Sequence, residues 1–312
     1  MSLYLGIDIG GTKIAGGLVT GEGRVLHQSR VPTPLTGRAA ILDAALGLAR
    51  GLIAASPSPV QAVGVGTGGQ VDAGRGVVVS ATDLLPGWAG TDVRAAFTDA
   101  LGLPVFVDND VNALALGEAR FGTGRGLTTV VYLALGTGVG GALLLDGRVH
   151  HGAHWSGGEF GHLLLTTDIE APRKTLEDWA SGPALARTYR EVTGSGAETT
   201  AAAVAAEAAL DAYGPAARAV CRTGECLGFG LAGIANALDP DLIVIGGGLA
   251  MLGDALLDPA RRVLERYALP GQARCPVVPA ALGADASLVG AACLAMASNE
   301  EGEQGGKGEQ GE

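Results

Sequence analysis

The chain predicts an α/β protein of two similar lobes, and three observations predict it. The first is a pair of strand–turn–strand segments, "LGIDIGGTKIAGGLV" and "LALGTGVGGALLLDG", about 125 residues apart, each with an apolar run on either side of a Gly/Thr turn. The second is that such runs alternate with helical periodicity, as in "GRAAILDAALGLARGLIAA". The third is composition: 47% hydrophobic residues and 52 glycines with only 4% aromatics, the mix of an enzyme whose glycines sit in turns that approach a ligand. A repeated strand–turn–strand device implies two lobes facing each other across a cleft.

The elements follow in order. Residues 1–30 read as three strands, the third in "GRVLHQSRV", and the helix after them ends at the proline-rich "SPSP". "QAVGVGTGGQVD" is a strand entering a glycine loop, and "LPVFVDNDVNALALGEARFG" is a strand, a polar tip and a helix. The second strand–turn–strand segment comes next, then Ala-rich helices near 197–238, the strand "DLIVIGGG", and a closing helix in "GADASLVGAACLAMA". The last stretch, "SNEEGEQGGKGEQGE", lacks apolar anchors and predicts a disordered tail over 298–312.

Charge narrows the function. The formal net charge is −11, which argues against a nucleic-acid partner, since neutralising phosphates needs clustered cations. No charged segment followed by an apolar one marks export, and no apolar run approaches the roughly 20 residues of a membrane span. Cys221, Cys226, Cys275 and Cys293 show no disulfide-scaffold spacing, so a cytoplasmic protein with reduced thiols is expected. Cys221 and Cys226 read as small core residues of a helix.

The first turn carries chemistry. Asp8, Gly10, Gly11, Thr12 and Lys13 place a carboxylate, open backbone N–H groups, a hydroxyl and an ammonium within one hairpin. Gly10 and Gly11 are expected to take positive φ, and such a turn forms a nest for phosphate oxygens. Neither the P-loop nor the Rossmann spacing is present. Two nests on opposing lobes would grip a nucleotide triphosphate, with Asp8 holding Mg²⁺ through water. The second nest is Gly136, Thr137, Gly138 and Gly140, and a third glycine turn is Gly246, Gly247 and Gly248.

With these residues the chain resembles the ROK family of sugar kinases and repressors, a branch of the actin-like ATPase superfamily. "GIDIGGTK" has the form of its D-x-G-G-T phosphate motif. "VDNDVNALALGE" (107–118), "ALGTGVGGALL" (134–144), "GGEFGH" (157–162), "TLEDWASG" (175–182) and "LIVIGGGL" (242–249) follow in the family's order. The resemblance runs from about residue 3 to 297. It implies two ribonuclease-H-like lobes around a central cleft: residues 1–112, joined by a C-terminal helix 285–297, and a larger lobe over 113–284. The implied activity is ATP-dependent phosphorylation of a hexose at its 6-hydroxyl, glucose first. An N-acetylmannosamine, N-acetylglucosamine or fructose kinase is the alternative. ATP and Mg²⁺ are the implied cofactors and a homodimer or homotetramer the implied assembly. A sugar-sensing repressor would carry a helix-turn-helix before the first motif. Seven residues precede Asp8 and the charge is acidic, so a kinase is expected instead.

Phosphorylating a hydroxyl needs a proton acceptor. The resemblance places that base at Asp110, whose bland alternative is to N-cap the following helix. Asn109 can donate to and accept from sugar hydroxyls. Glu159 and His162 supply an acceptor and an imidazole for the same sugar. The resemblance adds Glu177 near the anomeric end and Gly69. His150, His151 and His154 read as a solvated loop. Two departures stand out. Between His162 and Glu177 the family usually has C-x-C-x-x-x-x-C, which binds a structural zinc with the preceding His, whereas "LLLTTDIEAPRKTLED" has no cysteine, so no zinc is expected. In "SATDLLPGW", Asp83 stands where the family's glucokinases commonly have Asn, a change that bears on hexose choice unless the loop serves to pack Trp88.

Overall fold

The computed structural model describes residues 2–305, with side chains through 297. In chain order the strands and helices are β1 Leu3–Ile9, β2 Lys13–Thr20, β3 Val25–Pro32, α1 Arg38–Ala54, β4 Val60–Thr67, β5 Gln70–Asp72, β6 Val77–Ser80, α2 Val93–Leu101, β7 Val105–Asn109, α3 Asp110–Phe121, β8 Thr129–Leu135, β9 Val139–Leu145, β10 Arg148–Val149, α4 Leu176–Ala180, α5 Gly182–Thr193, α6 Ala201–Leu210, α7 Pro215–Leu238, β11 Leu242–Gly246, α8 Asp254–Tyr267, β12 Val277–Pro279 and α9 Ala286–Gly305. Among the described residues no helix is long and apolar enough to cross a membrane.

The chain forms two units. Unit 1 takes the chain to Arg125, then His151–Ser156, then the chain from Ala281; unit 2 takes Gly126–His150 and Gly157–Ala280. Unit 1 holds a sheet in the order β3-β2-β1-β4-β7 and unit 2 a sheet in the order β10-β9-β8-β11-β12. In each, the first three strands are antiparallel and the last two join in parallel. The two strand–turn–strand segments read from the sequence are β1–β2 and β8–β9, at equivalent places in the two sheets.

Burial follows the pattern of the strands. Leu5, Ile7, Ile9, Ile14 and Leu18 are fully buried in the unit 1 core, which α1 covers with Ile41, Ala45, Leu48, Ala49 and Leu52 at helical spacing. Unit 2 packs Val131, Leu133, Leu135, Ile243 and Ile245 against apolar positions of α5, α7 and α8. Trp88 is wholly buried and its indole N–H donates to Thr67 Oγ1 at 2.9 Å, so the "LLPGW" loop anchors unit 1. The cysteines differ from expectation. Cys221 and Cys226 lie at the partly exposed flank of α7, and Cys293 of α9 is the buried one.

The unit boundary lies beyond residue 112 because α3 stays with unit 1. It packs on α9 through two glycines: a Cβ on Gly117 would sit 3.0 Å from the Gly290 Cα. On the sheet side, a methyl on Gly6 of β1 would overlap the Leu288 carbonyl, and one on Gly64 of β4 the Ala291 carbonyl. Helix α9 runs to Gly305 rather than stopping at 297. The Glu- and Gln-containing sequence after Ala297 holds no proline to end it. Of the expected tail, residues 306–312 lie outside the described residues.

These contacts make a paired prediction. Gly64→Ala must push α9 off the sheet and should lower stability by about 2–3 kcal/mol. Gly47→Ala, inside α1 with open space at its Cβ, should raise it by about 0.5–1 kcal/mol. Urea midpoints of the two variants check both signs.

Candidate functional site

In unit 1 the β1–β2 turn closes with Gly10 N–H donating to the Lys13 carbonyl at 3.1 Å, and Thr33 Oγ1 donates to the Gly10 carbonyl at 2.6 Å. Neither Gly10 nor Gly11 has positive φ, contrary to the sequence expectation. Gly11 is needed for space instead, since a Cβ there would lie 2.7 Å from Leu84 Cβ. Thr12 and Lys13 are exposed. Asp8, at the end of β1, is partly buried. Burial raises its pKa to about 6, helped by the charge of Asp110, while Ser287 and Lys13 oppose the rise. Ser287, in the first turn of α9, lies near enough to Asp8 to favour its ionised form. Nothing in the local sequence marks Ser287, because only the docking of α9 brings it to β1.

The polar tip "DND" joins β7 to α3. Asn109, not Asp110, is the N-cap: its Oδ1 accepts from Val111 N at 2.9 Å and Asn112 N at 3.3 Å. Asn109 Nδ2 donates to the Gly69 carbonyl at 2.9 Å, and the Asn109 side chain also favours the ionised form of Asp110. Gly69 holds φ +99, and a Cβ there would overlap the Ser80 carbonyl, so this position requires glycine. Asp110 begins α3, and burial raises its pKa, opposed by backbone N–H groups at Val111 and Asp110.

Buried Asp108 is the hub beneath. Its Oδ1 accepts from Asn109 N at 2.7 Å and Asn112 Nδ2 at 2.9 Å, and its Oδ2 lies 2.7 Å from His151 Nε2. His151 is therefore no part of a solvated loop; it fastens the 151–156 segment to unit 1, edge-on to Trp155 at 5.4 Å between ring centroids. His154 is exposed.

In unit 2 the β8–β9 turn closes with Gly136 N donating to the Gly138 carbonyl at 2.9 Å, and the Gly136 carbonyl accepts from Gly182 N at 2.8 Å. Glu177 of α4 supports the same turn, its Oε2 accepting from Val139 N at 2.8 Å. A Cβ on Gly138 would crowd that carboxylate at 2.5 Å. Gly140 lies in β9 opposite Ala134. Gly247 has φ +82 and backs onto Leu135, and Gly248 opens a 3-10 turn. Beside these turns lies a cavity of about 810 Å³, lined by Gly136, Thr137, Gly182, Ala201, Ala205 and Gly248 among others. The sequence reading did not find its α5–α6 wall, because alanine-rich helices carry no polar mark of a ligand. Glu159 and His162 flank a short 3-10 helix, Phe160–His162, and both are exposed.

The structure thus groups Asp8, Asn109, Asp110 and Gly69 in unit 1. In unit 2 it sets Glu177 on the Gly136–Gly138 turn, with Gly248 and Thr137 on the cavity wall.

Residues 4–298 match the ROK family. A glucokinase of Streptomyces coelicolor is 36% identical over 322 residues, covering 95% of this chain and 98% of that one. An N-acetyl-D-glucosamine kinase of Salmonella gallinarum is 33% identical over 311 residues, covering 94% and 99%. Among solved structures, a ROK family glucokinase from Streptomyces griseus in complex with glucose and AMPPNP superposes with a TM-score of 0.80 at 34% identity, covering 94% of this chain and 99% of that one.

The Asp108–His151 pair makes a pH prediction. Asp108 raises the His151 pKa above 6.5, so its stabilisation is present below that pH and is lost as pH rises through the folded value. His151→Gln should therefore cost stability at pH 6 and much less at pH 9, compared by denaturant unfolding at the two pH values.

Proposed function

The chain belongs to the ROK family, and we propose that it is an ATP-dependent hexose kinase of glucokinase type, transferring the γ-phosphoryl group to the 6-hydroxyl of glucose. The observation that carries this reading is the matched pair of glycine turns on equivalent strands, one beside the carboxylates Asp8 and Asp110 and the other beside a nucleoside-sized cavity. The ribonuclease-H-like order of the two sheets and the relatives' names support it.

Each residue's part follows from its surroundings. Asp110 is the base. It takes the hydroxyl proton as the sugar oxygen bonds to the γ-phosphorus and the bond to the β-phosphate oxygen breaks, releasing ADP. Its raised pKa improves it as a proton acceptor. Asn109 meets a neighbouring sugar hydroxyl with its amide, which its contacts to Gly69 and Val111 hold still. Glu159, His162 and Glu177 supply the other sugar contacts, Glu177 with the oxygen that does not hold Val139 N. The turns at Gly10–Lys13 and Gly136–Gly138, through amides other than those of Gly10 and Gly136 that close them, receive the phosphates with Gly246–Gly248, and the cavity takes the adenosine.

Mg²⁺ fits at Asp8. Burial and the charge of Asp110 raise the cost of ionising Asp8, and a hydrated dication would offset that cost while keeping its waters. When bound it supplies positive charge to the transferring phosphates.

Two measurements test the reading. Asp110→Asn should cut kcat by about a thousandfold or more while glucose affinity by calorimetry stays within a few-fold; turnover near the parent rate removes Asp110 as base. Coupled assays should give glucose a kcat/KM above those of N-acetylglucosamine, N-acetylmannosamine and fructose. The reverse order would shift the assignment to the N-acetylhexosamine branch.

A further inference from the structure

The segment between His162 and Glu177 is where the family resemblance calls for a zinc loop, and the residues here do not fit one. Residues 163–176 contain neither cysteine nor histidine. Among the described residues no group of three or more His, Cys, Asp or Glu side chains is placed to hold a metal. Yet the segment is tied down. Leu165 N donates to the Lys174 carbonyl at 2.7 Å, Leu176 N donates to the Leu163 carbonyl at 2.8 Å, and Leu164 bridges Thr175. The two limbs therefore form a short antiparallel ladder. His162 immediately precedes one limb and Glu177 immediately follows the other, so the ladder sets the spacing between them.

Leu163 and Leu165 pack the ladder on the unit 2 core, and Arg173 ties it there by its side chain. Only 7% of Arg173 is exposed. Its guanidinium lies over the Trp179 ring of α4, 4.4 Å from the centroid, and pairs with Glu191 of α5. A planar cation suits both partners at once: its face stacks on the indole and its edge meets the carboxylate. Around it, Asp178 accepts from Lys174 N and Thr175 N, each at 3.0 Å, and Arg187 Nη2 donates to the Asp178 carbonyl at 2.6 Å. These links join the loop to α4 and to α5, and α4 to α5, and α4 carries Glu177.

We propose that Arg173, stacked on Trp179 and paired with Glu191, is a positioning residue for the sugar contacts: it clamps the 163–176 segment so that His162 and Glu177 meet the hexose in register. In this chain a side-chain clamp does the work that a metal centre would do. The proposal rests on the reading that His162 and Glu177 touch the sugar.

The test is steady-state kinetics with glucose and ATP on the whole protein. Arg173→Ala should raise the glucose KM by about tenfold or more, with a smaller change in kcat and in the ATP KM, because the loss falls on sugar orientation and not on phosphoryl transfer. Arg173→Lys keeps the charge but not the flat stacking face, so it should recover only part of the loss. Glu191→Gln, at a half-exposed partner, perturbs the clamp with least risk to folding and should raise the glucose KM by about threefold. It stands in should Arg173→Ala fail to fold. His162→Ala and Glu177→Gln separate the two ideas. If they leave the glucose KM unchanged, the sugar-contact reading fails. If they raise it while folded Arg173→Ala and Glu191→Gln stay within twofold of the parent, the clamp is overturned. Dialysis against a zinc chelator, followed by assay in excess Mg²⁺, should leave the glucose KM unchanged; a rise reversed by added zinc would also overturn the proposal.

Discussion

The seating of α9 on the unit 1 sheet is the constraint on which that half of the site depends. An α-helix normally rests on a sheet at a distance set by side chains on both surfaces. Here Gly6 and Gly64 remove the side chains from the sheet beneath Leu288 and Ala291, and Gly290 and Gly117 do the same between α9 and α3. The backbones come close enough that the first turn of α9 delivers Ser287 to Asp8. The carboxylate at the end of β1 thus has its partner from the far end of the chain. The same glycines hold α3, whose start carries Asp110, so the relation between the two carboxylates is a packing relation before it is a chemical one.

The two glycine turns occupy equivalent places in equivalent sheets, but their supports differ. In unit 1 the turn is fastened by a neutral hydroxyl, Thr33 on the Gly10 carbonyl. In unit 2 it is fastened by the Glu177 carboxylate on Val139 N and by the Gly182 amide on the Gly136 carbonyl. A charged acceptor makes a stronger bond to a backbone N–H than a neutral one, so α4 and the β8–β9 turn are held in fixed relation. That links the turn to whatever holds α4.

Asp8 and Asp110 illustrate the cost that accompanies such a site. Burial disfavours ionisation of both groups in the folded chain, and at Asp8 the charge of Asp110 adds to it. A protein selected for stability alone would not place two carboxylates this way. Electrostatics of this costly kind are what mark a candidate functional site. Beneath them the Asp108 hub uses its acceptor capacity inside the protein, on Asn109, Asn112 and His151, so it keeps the turn in place.

Local pattern alone was enough for the strands around Gly10 and Gly136 and for the helix after "DND". Alternation, helical periodicity and glycine placement are properties of short stretches, and short stretches decide which element forms. Pattern misjudged the turn glycines, expecting positive φ at Gly10 and Gly11 where neither has it and Gly11 is required for space beside Leu84. The lobe boundary that the resemblance implied at 112 falls inside α3, which is bound to α9 and stays with unit 1. Pattern passed over Ser287, the Asp108–His151 pair, the alanine-lined cavity and Arg173. Each of these acts through partners distant in sequence or, as with Arg173, through a fold of the loop that no motif encodes. The residue types and their order along the chain therefore determined the elements and the chemistry on offer. Only tertiary packing decided which groups meet, because a contact energy between distant residues exists only once the backbone has brought them together.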